Sequence, residues 1–319
     1  MFDCDILFVD CIGFKSLPPK ETLLVVSGDY KASCVTDVTA ALLWIERSND
    51  IKILVSNNPS HEVFHTFRQK FPKGKAILVT AMPMDSYSND LQGEENKIID
   101  HVVSNRSRFG WVIQDLRITI HKINTQHIFG IEKYLAPGTR IFHEPILHSD
   151  QRDIINHKVM NFAKACHLGQ HTARMAFGIT EELLMNAIYD APAAAGLEKY
   201  QNIDQTTAIS LGSEEQGLLS YGCDGQLLAI SSSDPFGALT KDKVFLYLKK
   251  VLKRSHTDQI IDTKKGGAGL GLFKILYSSH ALVCNVKKNE RTEIMAIIDV
   301  NEQLRDFATM ARSIHFFNN

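Results

Sequence analysis

A chain of 319 residues and 35.8 kDa is long enough for about two domains of ordinary size. Its 44% hydrophobic and 22% charged content excludes extended disorder, collagen-like repeats and a continuous coiled coil. With 35 Lys and Arg against 36 Asp and Glu, a net charge of -1 supplies no general attraction to nucleic acid or to an anionic membrane surface.

In chain order, short β-rich apolar runs alternate with helical patterns. Strands are predicted at Asp5 to Asp10, Thr22 to Ser27, Ile51 to Ser56, Lys75 to Thr80 and Asp100 to Ser104. Helices are predicted over Val35 to Arg47, where Val38, Ala41, Leu42 and Ile45 recur at helical spacing, over Val63 to Phe71, and over Phe109 to Ile123. This alternation predicts a doubly wound α/β domain on a parallel sheet over residues 1–125, with its ligand-facing loops at the strand C-termini. From Gln126 the periodicity fades, and Pro137, Gly138 and Pro145 punctuate the chain, so a connection is predicted over 126–149.

The second domain, predicted over 150–319, has a different order. Helices over Asp153 to Cys166 and Ala173 to Asp190 precede a hairpin over Gly217 to Ser231 that turns at Asp224-Gly225. A helix over Lys243 to Leu252, a Gly-rich loop and a helix over Leu270 to Ser279 follow, then strands over Leu282 to Lys287 and Glu293 to Val300. Helices followed by mostly antiparallel strands predict an α+β layer sandwich.

The start, MFDCDILFVD, lacks the basic region and small-residue cleavage pattern of a secretory signal, and no apolar stretch approaches the ~20 residues of a membrane span. The six cysteines are dispersed without a Cys-x-x-Cys pair, which reads as reduced thiols in a cytoplasmic protein with no structural metal.

Three segments of the second domain carry chemistry. On the helix Ala173 to Asp190, residues Glu182, Asn186 and Asp190 recur every four positions and share one face, opposite an apolar side. Ser233-Asp234-Pro235-Phe236-Gly237 ends a strand. In Lys264-Lys265-Gly266-Gly267-Ala268-Gly269-Leu270-Gly271-Leu272, glycines let backbone N–H groups approach an anion, and the helix beginning near Leu270 adds its positive end. Taken singly, these segments also read as a solvated helix stripe and a surface loop.

In this order, the three segments resemble the ATP-binding module of the GHKL superfamily, which includes histidine kinases, anti-sigma factor serine kinases and gyrase B. The resemblance implies the Bergerat ATPase fold, with ATP and Mg²⁺ as ligands. By position, Glu182 would be the catalytic base, Asn186 the Mg²⁺ ligand, and Asp234 the reader of the adenine amino group. Gly267, Gly269, Leu270 and Gly271 would wrap the phosphates, while Asp190 and Gly237 complete the expected nucleotide contacts. The residue chemistry agrees: Mg²⁺ prefers hard oxygen ligands, and an ionised Asp accepts from adenine but not from the guanine carbonyl. One departure is Phe236, which stands where the family usually has the first glycine of Asp-x-Gly-x-Gly.

The run Arg152 to Leu168 followed by the box helix looks most like the anti-sigma kinase branch, and no His-Glu/Asp-x-x-x-Pro phospho-acceptor box is present. The N-terminal part resembles a response-regulator receiver, with Lys75-Ala76-Ile77-Leu78-Val79-Thr80-Ala81 matching its fourth strand. The third strand, however, ends Ser56-Asn57-Asn58 and the fifth Ser104-Asn105, and an amide cannot form an acyl phosphate, so a pseudo-receiver is implied. Asp10 is read either as a functional acid or as a strand-end cap. The combined expectation is a bacterial signalling protein that binds Mg-ATP and acts on a regulatory protein partner, such as a sigma factor, an anti-anti-sigma protein or another signalling protein. A homodimer is compatible with it. Protein Ser/Thr kinase, slow ATPase and non-catalytic ATP-dependent switch all remain open.

Overall fold

The computed structural model describes residues 3–59, 61–83, 98–106, 109–201, 203–246, 270–303 and 309–319. It divides into two compact units, Met1–His127 with Arg305–His315, and Ile128–Leu304 with Phe316–Asn319.

In the first unit, strands β1 (Ile6–Val9), β2 (Ala32–Val35), β3 (Ile53–Ser56), β4 (Lys75–Thr80) and β5 (His101–Ser104) pair in parallel in the order β2-β1-β3-β4-β5. Every residue of β1, β3 and β5 is buried, as expected where helices cover both faces of a parallel sheet. Ile6, Phe8, Ile53, Val55, Ile77, Val79 and Val103 form one apolar layer with Leu23 and Val26 of α1 (Lys20–Val26) and Val112, Leu116 and Ile120 of α4 (Phe109–Thr125). Helices α2 (Val38–Arg47) and α3 (His61–Lys70) pack on each other. Asp37 caps α2, its carboxylate accepting from Ala40 N at 2.8 Å.

Two expectations for this unit are corrected. Thr22 to Ser27 is helical, not a strand. Pro19 precedes the helix, Glu21 lies in its first turn, and Gly28 follows at φ +60°, so the local punctuation is that of a helix. The strand next to β1 is instead β2, a half-buried edge segment. The unit also takes in the start of a strand from far along the chain: residues 313–315 of β11 (Ser313–Asn318) run antiparallel to β5, Ile314 opposite Val102 and His315 opposite His101. Its side chains enter a buried polar cluster, where Ser313 Oγ donates to Asp115 Oδ2 at 2.7 Å and His315 Nε2 lies 3.0 Å from Asp115 Oδ1.

The second unit holds β6 (Ile141–Ile146), β7 (Gly217–Cys223), β8 (Leu227–Asp234), β9 (Ala281–Lys287) and β10 (Arg291–Asp299) in the antiparallel order β9-β10-β8-β7-β6. The stretch 126–149 therefore supplies an edge strand rather than only a connection, and Pro145 is tolerated because β6 has a single neighbour. Helix α5 (Arg152–Ala165) packs on α6 (Gln170–Met185), and α6 packs in turn on α8 (Leu270–Tyr277) and on β8. Phe162 of α5 meets Phe142 and Tyr221, which are register partners on β6 and β7, with ring centroids 5.2 and 5.1 Å away. The helix expected over Lys243 to Leu252 is only partly described, residues 241–246 being helical.

Among the described residues no helix is long and apolar enough to cross a membrane. All six cysteines are free thiols.

Candidate functional site

The polar stripe on α6 arises from its sequence pattern. Ile179, Thr180, Leu183 and Leu184 are buried, as are Ala187 and Ile188 just beyond the helix, whereas Glu182, Asn186 and Asp190 are half-buried. Within the stripe the helix changes type: Asn186–Asp190 is a π-helical turn, followed by the short helix α7 (Ala191–Ala194). The Ala191 N–H closes the wider bond to Asn186 O, and Pro192, which has no N–H for an i→i−4 bond to Ile188, follows it directly.

Glu182 is held from α8. Lys274 Nζ lies 2.6 Å from Glu182 Oε1, the glutamate side chain being 18% exposed and the lysine 55%. Gly271, one turn before Lys274, comes so close that a Cβ there would sit 2.8 Å from Glu182 Oε2. A larger residue there would push the Glu182 carboxylate aside, so glycine leaves that carboxylate its place between the first turn of α8 and α6. Asp190 accepts a long hydrogen bond from Gln205 Nε2, 3.4 Å. Burial pushes its carboxyl up to about 6, with the neighbouring Glu182 charge adding to the rise and the Gln205 bond opposing it.

Asp234 ends β8. Its register partner Thr292 and the residues Ile230 and Ser232 lie on one face of the sheet by the two-residue period, and this is the face of Tyr221, paired with Ile230 and covered by α5. Asp234 Oδ1 accepts from Phe236 N at 3.0 Å. Burial raises this carboxyl to about 6 despite hydrogen bonds from Phe236, Thr292 and Gly237 and the charge of Arg291. The turn expected at Gly237 forms at φ +59°, and a Cβ there would overlap the carbonyl of Lys287. Phe236 thus coexists with a formed Asp–glycine turn.

The structure accordingly brings Glu182, Asp190 and Gly271 into one neighbourhood, next to Leu270 at the start of α8. Asp234 and Gly237 form a buried turn at the end of β8, the strand that the π-helical turn contacts. Gly267 and Gly269, with Lys264 and Lys265, lie outside the described residues. Lys274, Gln205 and Thr292 complete these groups and were not among the expected residues. No local spacing points to Lys274, whose partner Glu182 is 92 residues away in the chain.

In the first unit the strand ends form a hydrogen-bonded cluster. Asp10 Oδ1 accepts from Asn57 Nδ2 at 2.6 Å and from Leu17 N at 3.0 Å, and Asn57 Oδ1 accepts from Cys11 N at 2.7 Å. Lys15 Nζ reaches the carbonyls of Asn105, at 2.9 Å, and Arg106. Asp10 here pins the loop after β1. Among the described residues no cluster of three His, Cys, Asp or Glu is arranged to hold a metal.

No protein-family model matches the chain, and neither does any curated protein. Among solved structures, a chain from the crystal structure of the SiaB-SiaC complex from Pseudomonas aeruginosa is similar over 58% of this chain and 97% of its own length, at 17% identity and a TM-score of 0.32. A likeness of that size assigns neither fold nor function.

Proposed function

We propose that the second unit binds Mg-ATP and that the chain acts as a signalling protein on a protein partner. The observation that carries this reading is the grouping of Glu182, Asn186 and Asp190 on one helix face against Gly271, with Asp234 buried at the end of the adjoining strand on the helix-covered side of the sheet. The donor set suits the ligand: Asn186 offers a carbonyl oxygen and the neighbouring carboxylates are hard donors, as a magnesium ion accompanied by phosphate oxygens requires. When bound, that ion would supply charge neutralisation on the phosphates.

Asp234 would accept from the adenine amino group and discriminate against guanine. Glu182, one turn from Asn186, would orient or deprotonate an attacking hydroxyl on the partner. Each group of the stripe keeps part of its surface exposed while the buried side of α6 fixes their geometry.

The test is calorimetry of Mg-ATP binding to the wild type and to Asn186→Ala, with GTP as control. ATP-selective binding that weakens on substitution supports the reading. Absence of binding to folded protein overturns it. A second reading, an ATP-dependent switch without turnover, is favoured by the Lys274 ion pair that engages Glu182. Glu182→Gln separates the two: a kinase loses phosphotransfer while keeping nucleotide, and a switch keeps nucleotide-dependent partner binding.

A further inference from the structure

We propose that Lys274 is a positioning residue that couples arrival of a nucleoside triphosphate to release of Glu182; this inference rests on the Mg-ATP reading above and deepens it. Glu182 is not poised for proton transfer in the structure. One carboxylate oxygen is 2.6 Å from the Lys274 ammonium and the other lies 2.8 Å from where a Cβ on Gly271 would stand, so the lysine clamps the side chain to this helix beside the glycine. The clamp is asymmetric, because Glu182 is mostly covered whereas Lys274 is 55% exposed on a flexible four-carbon stem. The lysine is the partner free to move.

Lys274 belongs to the last turn of α8, but its ammonium meets Glu182 Oε1 while Glu182 Oε2 lies beside Gly271, so the charged group reaches back toward the first turn, the end of the helix that a polyphosphate would approach. A triphosphate offers more anionic oxygens than one carboxylate, and a lysine is a compact, freely rotating donor of three hydrogen bonds. Transfer of the ammonium from Glu182 Oε1 to phosphate would satisfy the lysine and leave the carboxylate able to act. In the free protein, Glu182 is then restrained until a nucleotide is present, which limits base chemistry on bystander hydroxyls. The device needs no backbone movement, only a change of lysine rotamer.

The consequence is thermodynamic and measurable without turnover. If nucleotide binding must break the Glu182–Lys274 pair, removing the glutamate charge frees the lysine in advance and tightens binding. A partly exposed ion pair makes the expected gain roughly two- to five-fold. The experiment titrates the full chain with the magnesium complex of the β,γ-imido analogue of ATP, using the wild type, Glu182→Gln, Lys274→Met and the double variant. Glu182→Gln should tighten binding in the wild-type background, Lys274→Met should weaken it, and the gain from Glu182→Gln should vanish in the Lys274→Met background. Lys274→Arg should restore the coupling that Lys274→Met removes, and Lys274→Gln replaces the methionine variant if that one fails to fold.

An equal gain in both backgrounds means that Glu182 only repels phosphate through space, and overturns the proposal. So does no gain in the wild-type background. Both results leave nucleotide binding standing. No binding by any folded variant overturns the nucleotide reading and the coupling together.

Discussion

Replacing Asp190 by Asn should stabilise the protein at neutral pH and do so by an amount that fades in acid. Burial and the Glu182 charge raise the Asp190 carboxyl from its ordinary 3.8 to about 6 in the native state. At about 1.36 kcal/mol for each tenfold change in proton affinity, the ionised group costs the fold on the order of 3 kcal/mol above pH 6. The direction follows from proton counting. Between about pH 4 and pH 6 the native chain holds a proton that the unfolded chain has released, so stability falls as pH rises through that window. Below it both states are protonated and the cost disappears.

Asparagine keeps the oxygen that accepts from Gln205 and removes the charge. Asp190→Asn should therefore raise the unfolding free energy by about 1 to 3 kcal/mol at pH 7.5, with the gain approaching zero at pH 4. Urea titrations from pH 4 to 8 measure this by far-ultraviolet circular dichroism. Trp44 and Trp111 both lie in the first unit, so their fluorescence reports that unit separately. A gain independent of pH, or a loss at pH 7.5, would refute the argument that Asp190 is ionised at an electrostatic cost.

Gly237→Ala should lose on the order of 3 kcal/mol, because the position needs φ +59° and has no room for a Cβ beside Lys287 O; thermal unfolding followed by circular dichroism measures it. Asp115→Ala strips the buried His315 and Ser313 of their shared acceptor and should cost about 3 to 5 kcal/mol, read from the fluorescence of Trp111 on the same helix. Glu215 is held down to about 2 by hydrogen bonds from Lys199 and Tyr200, so its contribution is present above the ordinary glutamate range and lost as pH falls from about 4.5 through about 2. Glu215→Gln should cost on the order of 1 kcal/mol at pH 7, a value set by solvent screening of the pair, and the difference from wild type should close in acid.

How much of this was readable beforehand differs by element. The buried strands β1, β3, β4 and β5 stand out as β-branched apolar runs between polar or helical segments, and α2 and α4 because they keep a helical period over sufficient length. Thr22 to Ser27 fails that criterion: a short apolar run fits strand or helix, and the flanking Pro19 and Gly28 decide the matter. β2, Ala-Ser-Cys-Val, is too weakly apolar to announce an edge strand. In the site, Glu182, Asn186 and Asp234 were visible through local spacing and turn chemistry. Lys274 was not, since its partner is 92 residues away and only the packing of α8 on α6 joins them. The π-helical turn is likewise invisible to a 3.6-residue period, and Pro192 is its one sequence mark.

The return of residues 309–315 to the first unit sets an order of events during synthesis. Ser104 at the end of β5 receives its contact from Ser313 only after a further 209 residues have been made. At ~5–20 residues per second that interval is on the order of 10 to 40 s. Throughout it, the nascent first unit presents the bare edge of β5, with unpaired backbone groups able to recruit a neighbouring chain on the same polysome. The buried polar Asp115 waits with it, lacking Ser313 and His315. The first unit is thus synthesised before the second and completed only after it, and its yield in cells should depend on how well that edge is shielded until Ser313 and His315 have emerged.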